Sequence, residues 1–414
     1  MFSKQEKILL AILASIQFSS IVDFMIMMPL GPQLMRMFNI GPHQFGLLVS
    51  SYTFSAGISG FMASFFMDKF DRKMSLLFFF IGFALGTIAC ALAPTYETLL
   101  VARGLTGIFG GVLSSLVLSI VSDAISYERR GSAMGVVMTS FSMASILGVP
   151  FSLFLANAFS WHAPFLFLGI VSLLLCVVIW IYVPAMRVHL QEMQPKEPPH
   201  RVLTRILRNP NQRRALLFIA AVMFGHFAII PFLSPSLVAN AGMSEAQLPL
   251  MYMAGGLCTI FSSPFVGRLA DRFGKHAVFF WGALITLLPY WIITHMGTTP
   301  LWAILVICAF FFVSSSGRMI PATALVSGTA APQNRGSFMS IVSCVQQMAA
   351  ALSSYLAGLI ITTDGKGHLV NYNVVGYVAV LFTFVAIYLS RKINATEGAK
   401  PIEMDAAHIG EPIL

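Results

Sequence analysis

The 414-residue chain is 57% hydrophobic and only 10% charged, with 25 Lys and Arg against 16 Asp and Glu for a net charge of +9. A soluble domain covers its surface with about 25% charged residues, so the composition excludes a soluble protein and points to an integral membrane one. The positive balance does not indicate nucleic acid, because the basic residues lie in short breaks between apolar runs.

A membrane-spanning helix takes about 20 apolar residues. Runs of that kind occupy 8–34, 45–67, 74–93, 97–122, 132–158, 164–184, 213–239, 247–269, 277–296, 300–328, 337–362 and 372–390. Pro, Gly, Asn and charged residues mark the breaks, as at Asn39–Pro42 and Pro94–Glu97. Lys4 and Lys7 before the first run resemble the start of a signal peptide, but no small-residue cleavage site leads into a polar chain, so the run is read as the first span. All five cysteines (Cys90, Cys176, Cys258, Cys308, Cys344) fall inside apolar runs and are read as packing residues, with no disulfide framework or metal-ligand spacing.

Lys and Arg set the orientation. With both termini cytoplasmic, 21 basic residues lie inside and two, Arg36 and Lys366, outside; Arg103 and Arg318 lie within spans. The expected organisation is a six-helix bundle over 1–184, a cytoplasmic linker over 185–212, a second six-helix bundle over 213–392 and a cytoplasmic tail over 393–414. Gln194–Pro199 reads as an extended linker. Arg201–Arg208 carries apolar and basic residues at helical spacing, and reads equally as a helix on the inner membrane surface or as a solvated basic linker. The tail reads as disordered.

Gly267-Arg268-Leu269-Ala270-Asp271-Arg272-Phe273-Gly274-Lys275-His276 is a knot of charge between two apolar runs, and Ser64–Lys73 is a weaker copy 203 positions earlier. The same offset places Asp68 on Asp271, Gln44 on Gln247, Pro32 on Pro235 and Asp23 on His226; Arg130-Gly131-Ser132 and Arg335-Gly336-Ser337 match at 205. Two parallel six-helix repeats place a substrate site near the midplane between the halves.

Gly267–His276 fits the G-x-L-x-D-R-x-G-[RK]-x loop motif, and with it the chain resembles the major facilitator superfamily. In the copy at 64–73, Ser64, Lys69 and Asp71 replace the first glycine, the arginine and the second glycine. Arg103-Gly104-Leu105-Thr106-Gly107 resembles the R-x-x-x-G motif of proton-driven members. Ala144–Pro150 keeps only part of the fifth-span pattern of antiporters. The resemblance lies toward the twelve-helix drug:proton antiporters and arabinose-efflux-like permeases. It implies an all-α integral membrane fold of twelve transmembrane helices in two pseudo-symmetric six-helix bundles. No cofactor or metal is expected.

An ionisable side chain deep in a bilayer needs a partner or a function. Asp23 lies about 22 Å along the first span at 1.5 Å per residue, and Arg103 sits at a similar depth in the fourth. They form either a proton-carrying pair or a static ion pair. The resemblance places the family's proton-linked arginine at Arg103. His226, the repeat mate of Asp23, is a further proton-coupling candidate facing it across the cavity, with a substrate ligand or a packing residue as alternatives. Arg318, in the inner half of the tenth span, has no acidic partner in its own half's spans, and either binds an anionic group of the substrate or leans on a carbonyl. Gln346, Gln347, Tyr52, Gln17 and Asn157 are candidate cavity-lining residues. Asp68, Lys69, Arg72, Asp123, Arg130, Gly267, Asp271, Arg272 and Gly274 form a candidate gating latch, with Arg72–Asp123 as the inter-helix pair; Glu128 and Arg129 flank it. In the resembled family this loop clasps adjacent helices and holds the outward-facing state.

The expected protein is a monomeric, multi-pass secondary transporter of the cell membrane, working by alternating access and driven by protons. It exports an amphipathic or drug-like compound or a sugar, or imports a small organic nutrient. A membrane-embedded enzyme would need a cluster of His and Asp near one face, and the nine histidines are scattered. A sensor would need an output domain, and none is evident.

Overall fold

The computed structural model describes residues 2–63, 67–186, 199–330 and 335–394. The extended linker and the tail expected from sequence lie largely outside these residues, as do the side chains of Asp68 and Glu128.

Among the described residues, eleven helices are long and apolar enough to cross a membrane. Their lengths follow from the apolar runs, because backbone polar groups in lipid must be satisfied within the segment. In chain order the α-helices are α1 Lys4–Ile26, α2 Gly31–Met37, α3 Pro42–Ala63, α4 Arg72–Ala91, α5 Tyr96–Ala124, α6 Tyr127–Met143, α7 Val149–Ala158 and α8 His162–Tyr182. There follow α9 Pro199–Arg208, α10 Pro210–Ala239, α11 Leu248–Phe273, α12 Lys275–Thr294, α13 Leu301–Ser327, α14 Arg335–Ile360 and α15 Tyr372–Ser390. A short antiparallel hairpin, β1 Thr362–Thr363 with β2 Leu369–Val370, joins α14 to α15. Among the long helices, α14 alone is too polar to join the eleven, because Gln346, Gln347, Ser353 and Ser354 dilute its apolar residues.

Local chemistry sets the boundaries. Ser3 and Glu6 form a capping box at the start of α1, and Thr95 with Thr98 forms one at α5. Asn209 caps α10 ahead of Pro210, whose fixed φ suits the first helical turn. The two charged turns solve the same problem differently. Gly274 takes φ 88° between α11 and α12, a conformation that favours glycine. Asp71, at the matching position of the weaker copy, has φ −57° and accepts hydrogen bonds from the amides of Lys73 (2.8 Å) and Met74 (3.4 Å), capping α4.

Two expected spans differ in detail. The first does not run unbroken over 8–34: the helix ends at Ile26 and restarts as α2, where Gly31 and Pro32 reset the chain. The fifth contains a π-helical turn, Ala144–Gly148, in which Val149 donates to Ala144. Pro150, lacking an N–H, cannot close the α-helical bond there, and the widened turn absorbs the defect.

Helices α1–α8 pack into one bundle and α10–α15 into another. The bundles meet along two seams, α3 against α14 and α11 against the π-turn and α7. The first and last described residues, Phe2 and Asn394, lie on one face, here the terminal face; the other is the distal face. Near the distal face one apolar core draws on both bundles, including Ile26, Leu30 and Phe45 with Phe232, Leu233 and Leu237. Toward the terminal face there are two cores. Leu76, Phe80, Leu116 and Ile179 belong to one bundle, and Phe218, Phe279, Val326 and Phe338 to the other, with only Phe61 reaching across from α3. The halves therefore share one core distally, while toward the terminal side each keeps its own and α3 bridges them along the α14 seam. Helix α9 lays Ile206, Val202 and Leu203 on the second bundle's terminal core and leaves Arg201, Arg205 and Arg208 exposed.

Candidate functional site

The densest buried charge lies inside the first bundle. Asp23 on α1 is 0% exposed and Arg103 on α5 is 1% exposed. Arg103 Nη1 donates to Asp23 Oδ2 at 2.8 Å and to the Asp23 carbonyl at 3.4 Å, while Thr87 on α4 donates to Asp23 Oδ1 at 3.1 Å. The Arg103 guanidinium lies over the Tyr52 ring of α3, 4.4 Å from its centroid. Glycines permit this approach. A Cβ on Gly107 would sit 2.4 Å from the Tyr52 carbonyl and one on Gly110 2.5 Å from its hydroxyl, so only glycine lets α3 and α5 come together beside Arg103. In a low-dielectric interior such a pair holds strongly, but it demands that every remaining lone pair be satisfied. Thr87 supplies one partner; Arg103 Nε has none among the described residues.

Gln17 is buried one turn and a half from Asp23, and its Nε2 donates to Ser114 Oγ at 3.0 Å, a strut between α1 and α5. Within the first bundle Phe24 meets Tyr52 (ring centroids 5.5 Å apart), and across the boundary between halves it meets Phe227 of α10 (6.0 Å).

The expected partners in the second bundle fall elsewhere. His226 does not meet Asp23. It is half-buried and stacks on Phe311 with centroids 5.9 Å apart, and its Nδ1 has no partner among the described residues. Arg318 does not face the cleft. It is 1% exposed and points into its own bundle, donating to Tyr290 Oη of α12, to Thr383 Oγ1 of α15 at 3.3 Å and to the Val222 carbonyl of α10 at 3.5 Å. With no ion pair to a carboxylate among the described residues, the guanidinium draws its stabilisation from these neutral oxygens and from the Tyr290 ring beneath it at 5.2 Å. Gln346 and Gln347 are half-buried on α14; Gln347 Cβ lies 3.1 Å from where a Cβ on Gly57 would be, at the α3–α14 seam. Asn157 is not at mid-depth. It is exposed at the distal end of α7, where it accepts from Gln33 Nε2 at 2.8 Å and donates to the Glu245 carbonyl at 3.3 Å.

Asn157 thereby belongs to a cluster that composition and motifs did not single out. Arg36 on α2 grips both carboxylate oxygens of Glu245, in the turn before α11, with Nη2–Oε2 at 2.9 Å. The hydrogen bonds that it donates to Glu245 hold the Arg36 guanidinium above its ordinary pKa. Among the described residues this is the one ion pair that joins the halves. The only signal in the sequence was that Arg36 is one of two basic residues left on the sparsely charged side.

On the terminal face, Arg72 Nε donates to Asp123 Oδ2 at 3.1 Å, linking α4 to α5. Arg130 Nη2 donates to the Ser122 carbonyl at 2.6 Å, and Arg129 grips Glu6 of α1 at 2.8 Å. Lys69 is exposed in the short turn before α4. In the second bundle Asp271, Arg272 and Gly274 are exposed and Gly267 half-buried; Arg272 lies 5.3 Å from the Phe273 ring. Asp271 makes no ion pair with a described residue. The two copies of the charged turn are thus engaged differently in this state.

The family model described as the Major Facilitator Superfamily matches residues 13–237 and again 215–411. The chain belongs to this superfamily. An uncharacterized MFS-type transporter of Bacillus subtilis, YceJ, is 23% identical over 395 residues, covering 92% of this chain and 95% of that one. A probable sugar efflux transporter of Helicobacter pylori is 23% identical over 235 residues, covering 57% and 59%. The crystal structure of a D-xylose-proton symporter superposes with a TM-score of 0.74 at 17% identity, covering 95% of this chain and 98% of that one. The protein is accordingly a multi-pass membrane transporter of small solutes and not an enzyme.

Proposed function

We propose that the chain is a proton-coupled exporter of a small sugar-like or amphipathic solute, acting as a monomer in the cell membrane with both termini cytoplasmic. The distal face is then the outside and the arrangement described is inward-open. The observation that carries the proposal is the Asp23–Arg103 pair, wholly buried at 2.8 Å between two helices of the first bundle. A carboxylate placed there costs several kcal/mol to desolvate. Arg103 pairs with it while the site is dry; where water enters and the pair parts, the carboxylate is free to exchange a proton with solvent. Alternating the side from which water enters then moves a proton against cargo. The basic excess at the terminal face supports the orientation. The Helicobacter pylori relative, a probable sugar efflux transporter, supports a sugar-like cargo and export.

Import is the second reading. The fifth-span pattern of antiporters is incomplete at Ala144–Pro150, where a π-turn stands, and the xylose protein that shares the fold is a proton symporter. Purified protein in liposomes loaded with a pH dye distinguishes the two. Addition of pentoses, hexoses or amphipathic cations outside should drive coupled proton movement, opposite in direction to the solute for export and with it for import. Solute flux indifferent to an imposed pH gradient refutes proton coupling.

A further inference from the structure

An unbroken line of aromatic contacts links the boundary between the halves to the buried ion pair. It runs from Phe227 on α10 to Phe24 on α1, then to Tyr52 on α3, and ends at the Arg103 guanidinium, with ring separations of 6.0 and 5.5 Å and a cation–ring distance of 4.4 Å. Phe24 directly follows Asp23 on α1, so the ring and the carboxylate are carried by adjacent residues of one helix. Tyr52 is 3% exposed, and its ring lies between Phe24 and Arg103. Phe24 and Phe227 are only half-buried and pack against the apolar core that the two bundles share.

We propose that Phe24 and Tyr52 are positioning residues that form a seal over the Asp23–Arg103 pair, and that Phe227 of the opposite half clamps the seal while the distal face is closed. The inference rests on the proton-carrier reading of Asp23 given above. Separation of the halves at the distal face withdraws Phe227, frees the Phe24 ring and lets Tyr52 move off the guanidinium. Water then reaches the carboxylate from that side only. The titratable and charged groups around Asp23 are Arg103 on α5, Tyr52 on α3 and Cys90 on α4. None on α6, α7 or α8 contacts it among the described residues. The seal therefore acts on one carboxylate and one permanent cation.

The geometry makes a demand that packing alone does not. Arg103 needs the face of a ring, not the tyrosine hydroxyl, so Tyr52→Phe should keep the seal and Tyr52→Leu should lose it. The test is proton flux into dye-loaded liposomes under an imposed pH gradient, with no solute added. Wild type and Tyr52→Phe should be equally tight. Tyr52→Leu and Phe24→Leu should leak about tenfold faster, because Asp23 then exchanges protons with both sides without waiting for cargo; Phe227→Leu should fall between. Adding Asp23→Asn to Tyr52→Leu should return the leak to the wild-type rate. Equal leak in Tyr52→Leu and Tyr52→Phe overturns the seal and leaves the proton-carrier reading to the solute-coupled assay. A leak that survives Asp23→Asn also overturns the proposal, since water would then bypass the carboxylate. Should Tyr52→Leu fail to fold, Phe24→Leu and Phe24→Tyr give the same contrast on the neighbouring ring.

Discussion

Arg36 and Glu245, 209 residues apart, clasp each other across the boundary between the two bundles with both carboxylate oxygens engaged. Gln33 and Asn157 extend the contact, since Asn157 accepts from one side and donates to the Glu245 backbone on the other. The sequence supplies the two bundles with charged turns at the terminal face; the fold adds this clasp at the distal one.

Breaking the clasp should favour opening at the distal face. The Arg36 side chain is 64% exposed, so the pair contributes about 0.5–1 kcal/mol, a shift of roughly two- to fivefold in population. Spin labels on α2 and on the turn before α11 should show longer distances in Arg36→Ala and Glu245→Ala. The charge swap Arg36→Glu with Glu245→Arg should restore the short distance, and high salt should mimic the single mutants.

Removing one member of the Asp23–Arg103 pair strands the other in a dry site. Asp23→Asn or Arg103→Ala should each cost about 3–5 kcal/mol of stability. Asp23→Leu combined with Arg103→Met should cost less than either, because neither charge then remains. Thermal unfolding in detergent measures the ranking. In liposomes, Asp23→Asn should move solute without moving protons.

Arg318 ties four helices of the second bundle together and stays out of the cleft. Tyr290→Phe should therefore destabilise the fold by about 1–3 kcal/mol through the lost hydrogen bond, without changing which solutes are carried. A changed solute preference in a transport panel would return Arg318 to the substrate site.

The seam between α3 and α14 depends on two facing glycines. A Cβ on Gly46 would lie 2.7 Å from the Ser354 carbonyl and 3.1 Å from Gly358 Cα, both backbone atoms that cannot swing aside. Gly46→Val should cost about 1–3 kcal/mol by overpacking and should part the halves distally. Disulfide trapping across the seam would register the change as slower cross-linking.

The hairpin between α14 and α15 should respond to acid. Asp364 accepts from the amides of His368 (2.8 Å) and Lys366 (2.9 Å), and these bonds hold its carboxyl below the usual value of 3.8. A depressed folded value stabilises the hairpin above the unfolded pKa, and the contribution disappears as pH falls through the folded one. Amide exchange at Thr362–Val370 should thus accelerate below about pH 4 in the native chain and show no such step in Asp364→Ala.

Much of this was legible beforehand, and the rest was not for identifiable reasons. Apolar runs announce helices because lipid permits little else, and counting residues along two of them brought Asp23 and Arg103 to one depth. Arg72 and Asp123 could be matched because both sit at helix ends on one face. Helix count and charge bias say nothing, however, about which way a side chain turns about its helix axis. Arg318 turned inward, Asn157 proved to be a surface residue, and His226 found Phe311 instead of Asp23. The clasp of Arg36 and Glu245 joins two connecting segments whose nearness only the assembled bundles create. The weak copy of the charged turn had a plain cause: aspartate at position 71 caps the next helix, where glycine at 274 allows a reversal of backbone hand.

The π-turn at Ala144–Gly148 has a further consequence for how the fifth span is phased. One additional residue in a helical turn rotates everything beyond it by about 100° relative to an unbroken helix. Helix α7 is therefore indexed against its neighbours by that single residue, and Asn157, nine positions past Gly148, inherits its bearing toward Gln33 and Glu245 from it. Deleting Leu147 would straighten the span, turn Asn157 away from both partners and unfasten the distal clasp from a point roughly 15 Å away along the helix.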